Sequence, residues 1–430
     1  MTLSMAAFGV LLGLTFLGIP IAWTMIGVGF AGVAALRGID PALAMVGQVA
    51  FETAMSYDLS VVPMFVLMGN LVNHARLSHQ LYDSAHSFVG HRRGGLAMAT
   101  ILSCGGFAAI SGSSIATAAT MAKVAIPSMR RFRYADGFAA ATVAAGGTLG
   151  ILIPPSVVMV VYGILTRADI GELFVAGILP GILAIGMYLV AIEWIVHRDP
   201  ALAPAGPRST WSQRRAALKP VWPVAVLFLV VIGGLYAKAF TPTEGAGIGA
   251  FGALLLALFK RTLTPRALLH VLAETVRTSA VMFAILIGGL IFANFVNLAG
   301  LTTSLQQWVS DASIAPIVII FMMIGIYLAL GCVLDSMSMI ILTIPIFFPV
   351  VVQLGYDPVW FGIIVVVAAE LALITPPVGL NVFVISGVFK DIGTAPIFRA
   401  VAPFVVVDLL RISILATVPA VSLALPSLMR

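Results

Sequence analysis

The fold predicted from the sequence is an all-α polytopic membrane protein, built from two inverted-topology repeats that each hold a re-entrant hairpin and a Pro-broken helix. Three observations predict it. Of 430 residues, 61% are hydrophobic and 9% charged, against about a quarter charged in ordinary globular chains. Runs long enough for bilayer-spanning helices of about 20 apolar residues follow one another almost end to end. Two adjacent-proline breaks, "GILIPPS" (150–156) and "ITPPVGLN" (374–381), lie 222 residues apart inside such runs.

That same shift places Pro127 on Pro349, Ser114 on Ser336, Pro20 on Pro242 and Gly27 on Gly249. A shift of 224 residues places Asn70 on Asn294 and Asn73 on Asn297, as a two-residue insertion would. Ordered matches across half the chain predict a duplication. The first half (1–198) reads as helices 3–18, 20–36 and 59–75, then an amphipathic segment 77–90. An apolar stretch, 94–128, is interrupted at "ISGSSIA" and predicts a hairpin. Segment 134–166 breaks at Pro154-Pro155, because proline removes a backbone donor and clashes with the preceding turn, and 171–196 closes the half. After a linker (199–219), the second half (220–430) repeats this as 220–237, 242–260, 276–298, segment 301–312, interrupted stretch 314–351, broken helix 358–388 and final helix 396–427.

With each hairpin entering and leaving by one face, each half crosses five times, so the halves are inverted. Basic residues accumulate in cytoplasmic loops. The linker, with Arg198, Arg208, Arg214, Arg215 and Lys219, is therefore placed in the cytoplasm. Arg76, Arg92, Arg93, Lys123, Arg130, Arg131 and Arg133 then fall on the same side, as do Lys260, Arg261, Arg266, Arg277, Lys390 and Arg399. Arg37, Arg167, Lys238 and Arg430 fall outside, and both termini face the periplasm. The net charge of +6 thus belongs to loops and points to no nucleic acid. The N-terminus lacks a basic n-region and a cleavage site, so it reads as a retained helix. Cys104 and Cys332, both in apolar segments, argue against a disulfide framework or a transition-metal site. No zinc-protease, P-loop or nucleophile-elbow motif is present, which argues against an enzyme.

Inverted repeats with paired broken helices mark secondary transporters whose sites lie near the bilayer midplane. Freed carbonyls hold a cation there, and half-helix N-termini face an anion. The first hairpin tip offers Ser111, Ser113 and Ser114; the second offers Asp335, Ser336 and Ser338. Asp335 aligns with Ser113, so the second tip has gained a charge, and an ionisable group at membrane depth is functional by default. Glu244 reads equally as a helix cap or a coupling residue. Glu370 reads as a coupling residue or a buried hydrogen-bonding group, and Asp408 and Arg411 as a self-neutralising pair.

The "GSS" hairpin, "GILIPPS", "TPTEG" and "ITPPVGLN" together resemble the large membrane subunit of tripartite ATP-independent periplasmic (TRAP) transporters, over essentially the whole chain. The resemblance implies sodium-driven uptake of an organic acid by an elevator mechanism, without an enzymatic cofactor. A periplasmic binding protein would deliver the substrate, and a small four-helix membrane subunit on a separate chain would brace the scaffold. The scaffold would be 1–75 and 220–298, the transport domain 90–196 and 314–427, and the connecting arms 77–90 and 301–312, in a bacterial inner membrane. The sodium ligands are then expected among Ser113, Ser114, Gly150, Asp335, Ser336, Thr375 and Gly379. Substrate contacts are expected among Ser111, Pro154, Ser156, Ser338, Pro376 and Asn381, with Glu244 and Glu370 for coupling. The competing readings are a stand-alone divalent-anion or ion-pump carrier of the same plan, and a channel.

The topology predicts which positions face outwards. In a background lacking Cys104 and Cys332, single cysteines at Ser310 and Gly355 should react with an impermeant thiol reagent added to intact cells. Cysteines at Ser209 and Gly95 should not, and labelling of the latter pair would break the inverted arrangement.

Overall fold

The computed structural model describes residues 2–75, 77–312 and 314–429. Arg76 and Arg430, counted above with the loop charges, lie outside them. Among the described residues every regular element is helical. The first half runs α1 (Thr2–Phe16), α2 (Ile21–Arg37), α3 (Ile39–Met55), α4 (Val61–His74), α5 (Leu77–Val89), α6 (Gly95–Ser111), α7 (Ser114–Arg131), α8 (Asp136–Thr148), α9 (Val157–Thr166) and α10 (Ile170–Arg198). A short α11 (Trp211–Leu218) lies in the linker. The second half runs α12 (Trp222–Tyr236), α13 (Pro242–Phe259), α14 (Pro265–Leu298), α15 (Leu301–Asp311), α16 (Pro316–Leu330), α17 (Ser336–Gln353), α18 (Pro358–Ala372), α19 (Leu380–Val388) and α20 (Thr394–Thr417), then a last turn α21 (Ala420–Leu423).

The two halves match element for element, α1 with α12 through to α10 with α20, once α3 and α4 together are set against α14. That pairing corrects the sequence reading, which left 37–58 unassigned and started the equivalent helix at 276. Asp40, Gln48 and Glu52 dilute the hydropathy of α3, although the segment is helical throughout. In the second half Thr264 caps the helix and Pro265 opens it, so α14 begins eleven residues earlier than its apolar run. The chain bends by 62° between α3 and α4, whereas α14 is one helix of 34 residues. At 1.5 Å per residue that is about 50 Å, well beyond the roughly 30 Å of a bilayer's apolar core. The final helix stops at Thr417 instead of 427, two residues before Pro419, which cannot continue the ladder.

The linker is not a free tether. Its backbone crosses the base of the first hairpin through Gly94 N–H to Ala203 O (3.0 Å), Ala135 N–H to Leu202 O (3.1 Å) and Gly206 N–H to Gly90 O (3.0 Å). Thr210 and Gln213 cap α11 reciprocally, and Arg214 Nε donates to the Ser87 carbonyl of α5 at 3.2 Å.

Two sets of packed helices meet along α14 with α17 and α4 with α6. In one, α2 lies along α14, and α4 lies against α13 and α14. In the other, α6 and α7 pack on α8, while α16 and α17 pack on α18, with α10 and α20 closing the group. Helices α5 and α15 flank α6 and α17 respectively. The α2–α14 contact depends on glycine. A Cβ at Gly29 would lie 2.9 Å from the Phe292 backbone, and one at Gly288 would lie 2.6 Å from the Ala22 carbonyl. Close backbone approach through small residues is the usual way helices associate in lipid, where hydrophobicity gives no driving force between them.

Gly288→Leu should therefore cost stability by overpacking, about 1–3 kcal/mol, read as a lower Tm in detergent. Gly186→Leu, where a Cβ meets nothing within 4 Å, should leave Tm unchanged. Gly95 has no room for the label proposed above, since a Cβ would sit 2.2 Å from the Val89 carbonyl. Exposed Arg93 is the better cytoplasmic position.

Candidate functional site

Both hairpins turn on a capped helix N-terminus. Helix α6 ends at Gly112, whose φ of 60° is a left-handed value that favours glycine. Ser113 then caps α7 by accepting the Ala116 amide. The Thr117 hydroxyl bonds the Ser113 carbonyl at 2.8 Å, and Ser111 and Thr117 share a hydroxyl bond of 2.7 Å. At the equivalent place in the second hairpin, Asp335 caps α17. Its Oδ2 accepts from the amides of Met337 (3.1 Å) and Ser338 (3.4 Å), and its Oδ1 accepts the Ser338 hydroxyl. A carboxylate at this position is favoured by the positive end of the helix dipole.

The breaks are alike in backbone and unlike in exposure. Pro154-Pro155 and Pro376-Pro377 are both cis, but the first pair is buried and the second exposed. After Pro155, Ser156 caps α9, accepting from the Met159 amide and donating to the Ile151 carbonyl at 2.6 Å. In the second break the Thr375 hydroxyl bonds back to the Leu371 carbonyl at 2.6 Å. Gly379 takes a φ of 56°, and the Asn381 backbone amide returns to the Leu373 carbonyl at 3.0 Å. The Asn381 side chain reaches across the repeats to the Ala144 carbonyl at 3.1 Å.

The two hairpin tips meet at one cavity of about 110 Å³. Its walls include Ser113 and Ser114 from the first tip, Asp335 and Ser336 from the second, Val157 and Val158 from the start of α9, and Leu373 beside the second break. Met282 of α14 closes it from the other helix group. Three helix N-termini, those of α7, α9 and α17, therefore contribute to one small space. Among the described residues no Lys or Arg lines it. Ser114 Oγ bonds the Thr148 carbonyl at 3.0 Å, joining the first tip to the first break, while Ser336 Oγ is buried without a protein partner among the described residues.

Four of the residues expected from the sequence are thus brought together: Ser113, Ser114, Asp335 and Ser336. Ser111 and Ser338 lie directly behind them as hydrogen-bonding neighbours of the tips. Gly150 packs against the backbone of Ser113 and Ser114. Pro154, Ser156, Thr375, Pro376, Gly379 and Asn381 lie in the breaks and do not line this cavity. Glu244 is exposed in a capping box with Thr241, bonding its amide at 2.8 Å, so the cap is the role the geometry gives it. Glu370 is fully buried and pairs with Arg411 at 2.8 Å, and Arg411 also lies 3.1 Å from Asp408. The expected two-residue pair is in fact a three-residue cluster. Sequence reasoning missed Met282, Val157 and Val158, whose apolar side chains carry no signal distinguishing them from lipid-facing neighbours. It also missed a second, polar cavity of about 670 Å³ lined by Asn70, Asn73, His74, Thr262, Thr264, His270 and Glu274.

Residues 8–421 match the family described as "Tripartite ATP-independent periplasmic transporter, DctM component". The chain is 39% identical over 379 residues to the C4-dicarboxylate TRAP transporter large permease protein DctM of Pseudomonas aeruginosa, covering 88% of each. It is 35% identical to the isethionate TRAP transporter permease protein DctMQ of Oleidesulfovibrio alaskensis, over 94% of this chain and 63% of that protein. The fold resembles the crystal structure of the Alcanivorax borkumensis YdaH transporter, with a TM-score of 0.65, 14% identity and 88% of both chains covered.

Gly150 gives the site its most exposed dependency. A Cβ there would lie 2.5 Å from the Ser113 carbonyl oxygen and 2.8 Å from the Ser114 amide nitrogen, so the tip must move. Gly150→Ala should reduce uptake at least about tenfold, equivalent to 1.4 kcal/mol, at equal membrane expression. Gly186→Ala should transport normally.

Proposed function

Because this chain belongs to the DctM family of tripartite ATP-independent periplasmic transporters, we propose that it imports a small organic acid, drawing on an inward sodium gradient. The observation that carries this reading is the shared cavity. Three helix N-termini offer partial positive charge to a carboxylate, while Asp335 stands in the same wall. An anionic substrate beside an ionised aspartate would be repelled, since two like charges in a low-dielectric space disfavour each other strongly. A cation bound with the substrate removes the conflict, and hydroxyls, carbonyls and a carboxylate are the hard oxygen ligands that sodium takes. Ser113, Ser114, Asp335 and Ser336 are the proposed ion and substrate contacts.

The division of labour follows the two helix groups. Residues 1–75 and 220–298 form the static scaffold; 90–196 and 314–427 move as an elevator carrying the cavity, with α5 and α15 as arms. Met282 is the scaffold's contact at the site. The isethionate relative is named as a DctMQ protein, which supports pairing with a small membrane subunit, and the family description supports delivery by a periplasmic binding protein. The proposed location is the bacterial inner membrane, with both termini periplasmic.

Uptake in proteoliposomes containing the small subunit and binding protein should vanish when external sodium is replaced by potassium. Asp335→Asn retains size and one carbonyl-type oxygen but loses the charge. It should still insert and fold, and its sodium concentration for half-maximal uptake should rise roughly tenfold, or 1.4 kcal/mol. Undiminished uptake under a proton gradient alone, or unaltered sodium dependence in well-folded Asp335→Asn, contradicts the proposal.

A further inference from the structure

The only charged side chains that are fully buried among the described residues form one cluster, Glu370 on α18 with Asp408 and Arg411 on α20, each at 0% exposure. Arg411 Nη2 donates to Glu370 Oε2 at 2.8 Å and lies 3.1 Å from Asp408 Oδ1. Tyr188 of α10 donates to Asp408 Oδ2 at 2.7 Å and meets the Thr148 hydroxyl at 3.2 Å. Two carboxyls therefore face a single guanidinium, which cannot deprotonate. With both carboxyls ionised the cluster holds one uncompensated negative charge at membrane depth, which is costly for a buried ion group.

The oxygens locate the problem. Glu370 Oε1 and Asp408 Oδ1 are buried with no hydrogen-bond partner in the protein, among the described residues. Arg411 Nε and Nη1 also lack partners, but satisfying them leaves the charge balance unchanged. Among the described residues, Arg411 is the one cation that pairs with either carboxyl. Tyr188 is the titratable group of α10 that touches the cluster. The buried Tyr162 of α9 bonds the Pro358 carbonyl (2.6 Å), and Tyr327 of α16 accepts from Thr343 (2.8 Å). A metal ion is a poor occupant, because the guanidinium already lies against both carboxyls and repels it.

We propose that this cluster is a proton-binding site, in which one proton resides on Glu370 while Asp408 stays ionised between Arg411 and Tyr188. The proton comes from solvent and forms an O–H bond at Oε1; no other bond changes. Asp408 is the better anion because it alone accepts a hydroxyl bond in addition to its contact with the guanidinium. The bound proton makes the cluster electrically neutral, so the packed interior between α18 and α20 holds no surplus charge. Tyr188 and Thr148 then connect it, through the Thr148 carbonyl, to Ser114 at the cavity. The site does not depend on which ion drives uptake.

Infrared spectra of the full chain in lipid nanodiscs at neutral pH test this. The wild type should show a protonated-carboxyl C=O band that shifts in D2O. Glu370→Gln and Asp408→Asn should each abolish it, since either leaves one carboxylate for one guanidinium, and exposed Glu52→Gln should keep it. Absence of the band in the wild type, or its survival in either cluster variant, overturns the proposal. A sodium-dependent rise in Tm that Glu370→Gln removes would place sodium in the cluster and also overturn it. If Asp408→Asn does not fold, Glu370→Gln alone decides.

Discussion

Backbone polar groups inside a bilayer have no water to turn to, so each interruption of a membrane helix must be satisfied by protein. The rest of this structure follows from that constraint. The two hairpin turns and the two proline breaks are such interruptions, and each is closed by a short-range cap or by its partner element. Ser113 and Asp335 cap their helices, Ser156 bonds back to Ile151, and Asn381 spans from one repeat's break to the carbonyl of Ala144 in the other. Ser114 ties the first tip to the end of α8. The two hairpin tips and the start of α9 meet at the cavity, while the second proline pair stays exposed outside it.

The duplication explains the pairing of the devices, and divergence between the copies explains their chemistry. Ser113 and Asp335 occupy equivalent capping positions, yet only the latter adds a charge. The bent α3–α4 pair corresponds to the unbroken α14, and the buried first proline pair to the exposed second. A site placed between the two copies receives one neutral and one charged tip, the asymmetry on which the proposed pairing of an anion with a cation rests.

The sequence made much of this legible because repeats and breaks are local signals. Adjacent prolines, a Ser-rich turn and an isolated aspartate in an apolar run each announce themselves, and ordered spacing joins them. Two kinds of feature stayed hidden. Helix α3 carries enough polar residues to fall below the hydropathy of a span, and its one proline, Pro41, lies in the first turn, where a helix tolerates it. The contact of Glu370 with Arg411 joins residues 41 apart in the chain, so no periodicity reveals it; the i, i+3 spacing of Asp408 and Arg411 showed only half the cluster. Met282 was invisible for a different reason, since its role depends on which helix group faces the hairpin tips.

The central claim is that substrate and coupling ion share the cavity between the two hairpin tips. A cryo-EM structure of the chain with its small subunit in nanodiscs, with sodium and saturating organic acid, tests it directly. The account predicts ligand density in contact with Ser113, Ser114, Asp335 and Ser336, absent when potassium replaces sodium. Density instead among Asn70, His74, His270 and Glu274, in the larger polar cavity, with the tips empty, would contradict it.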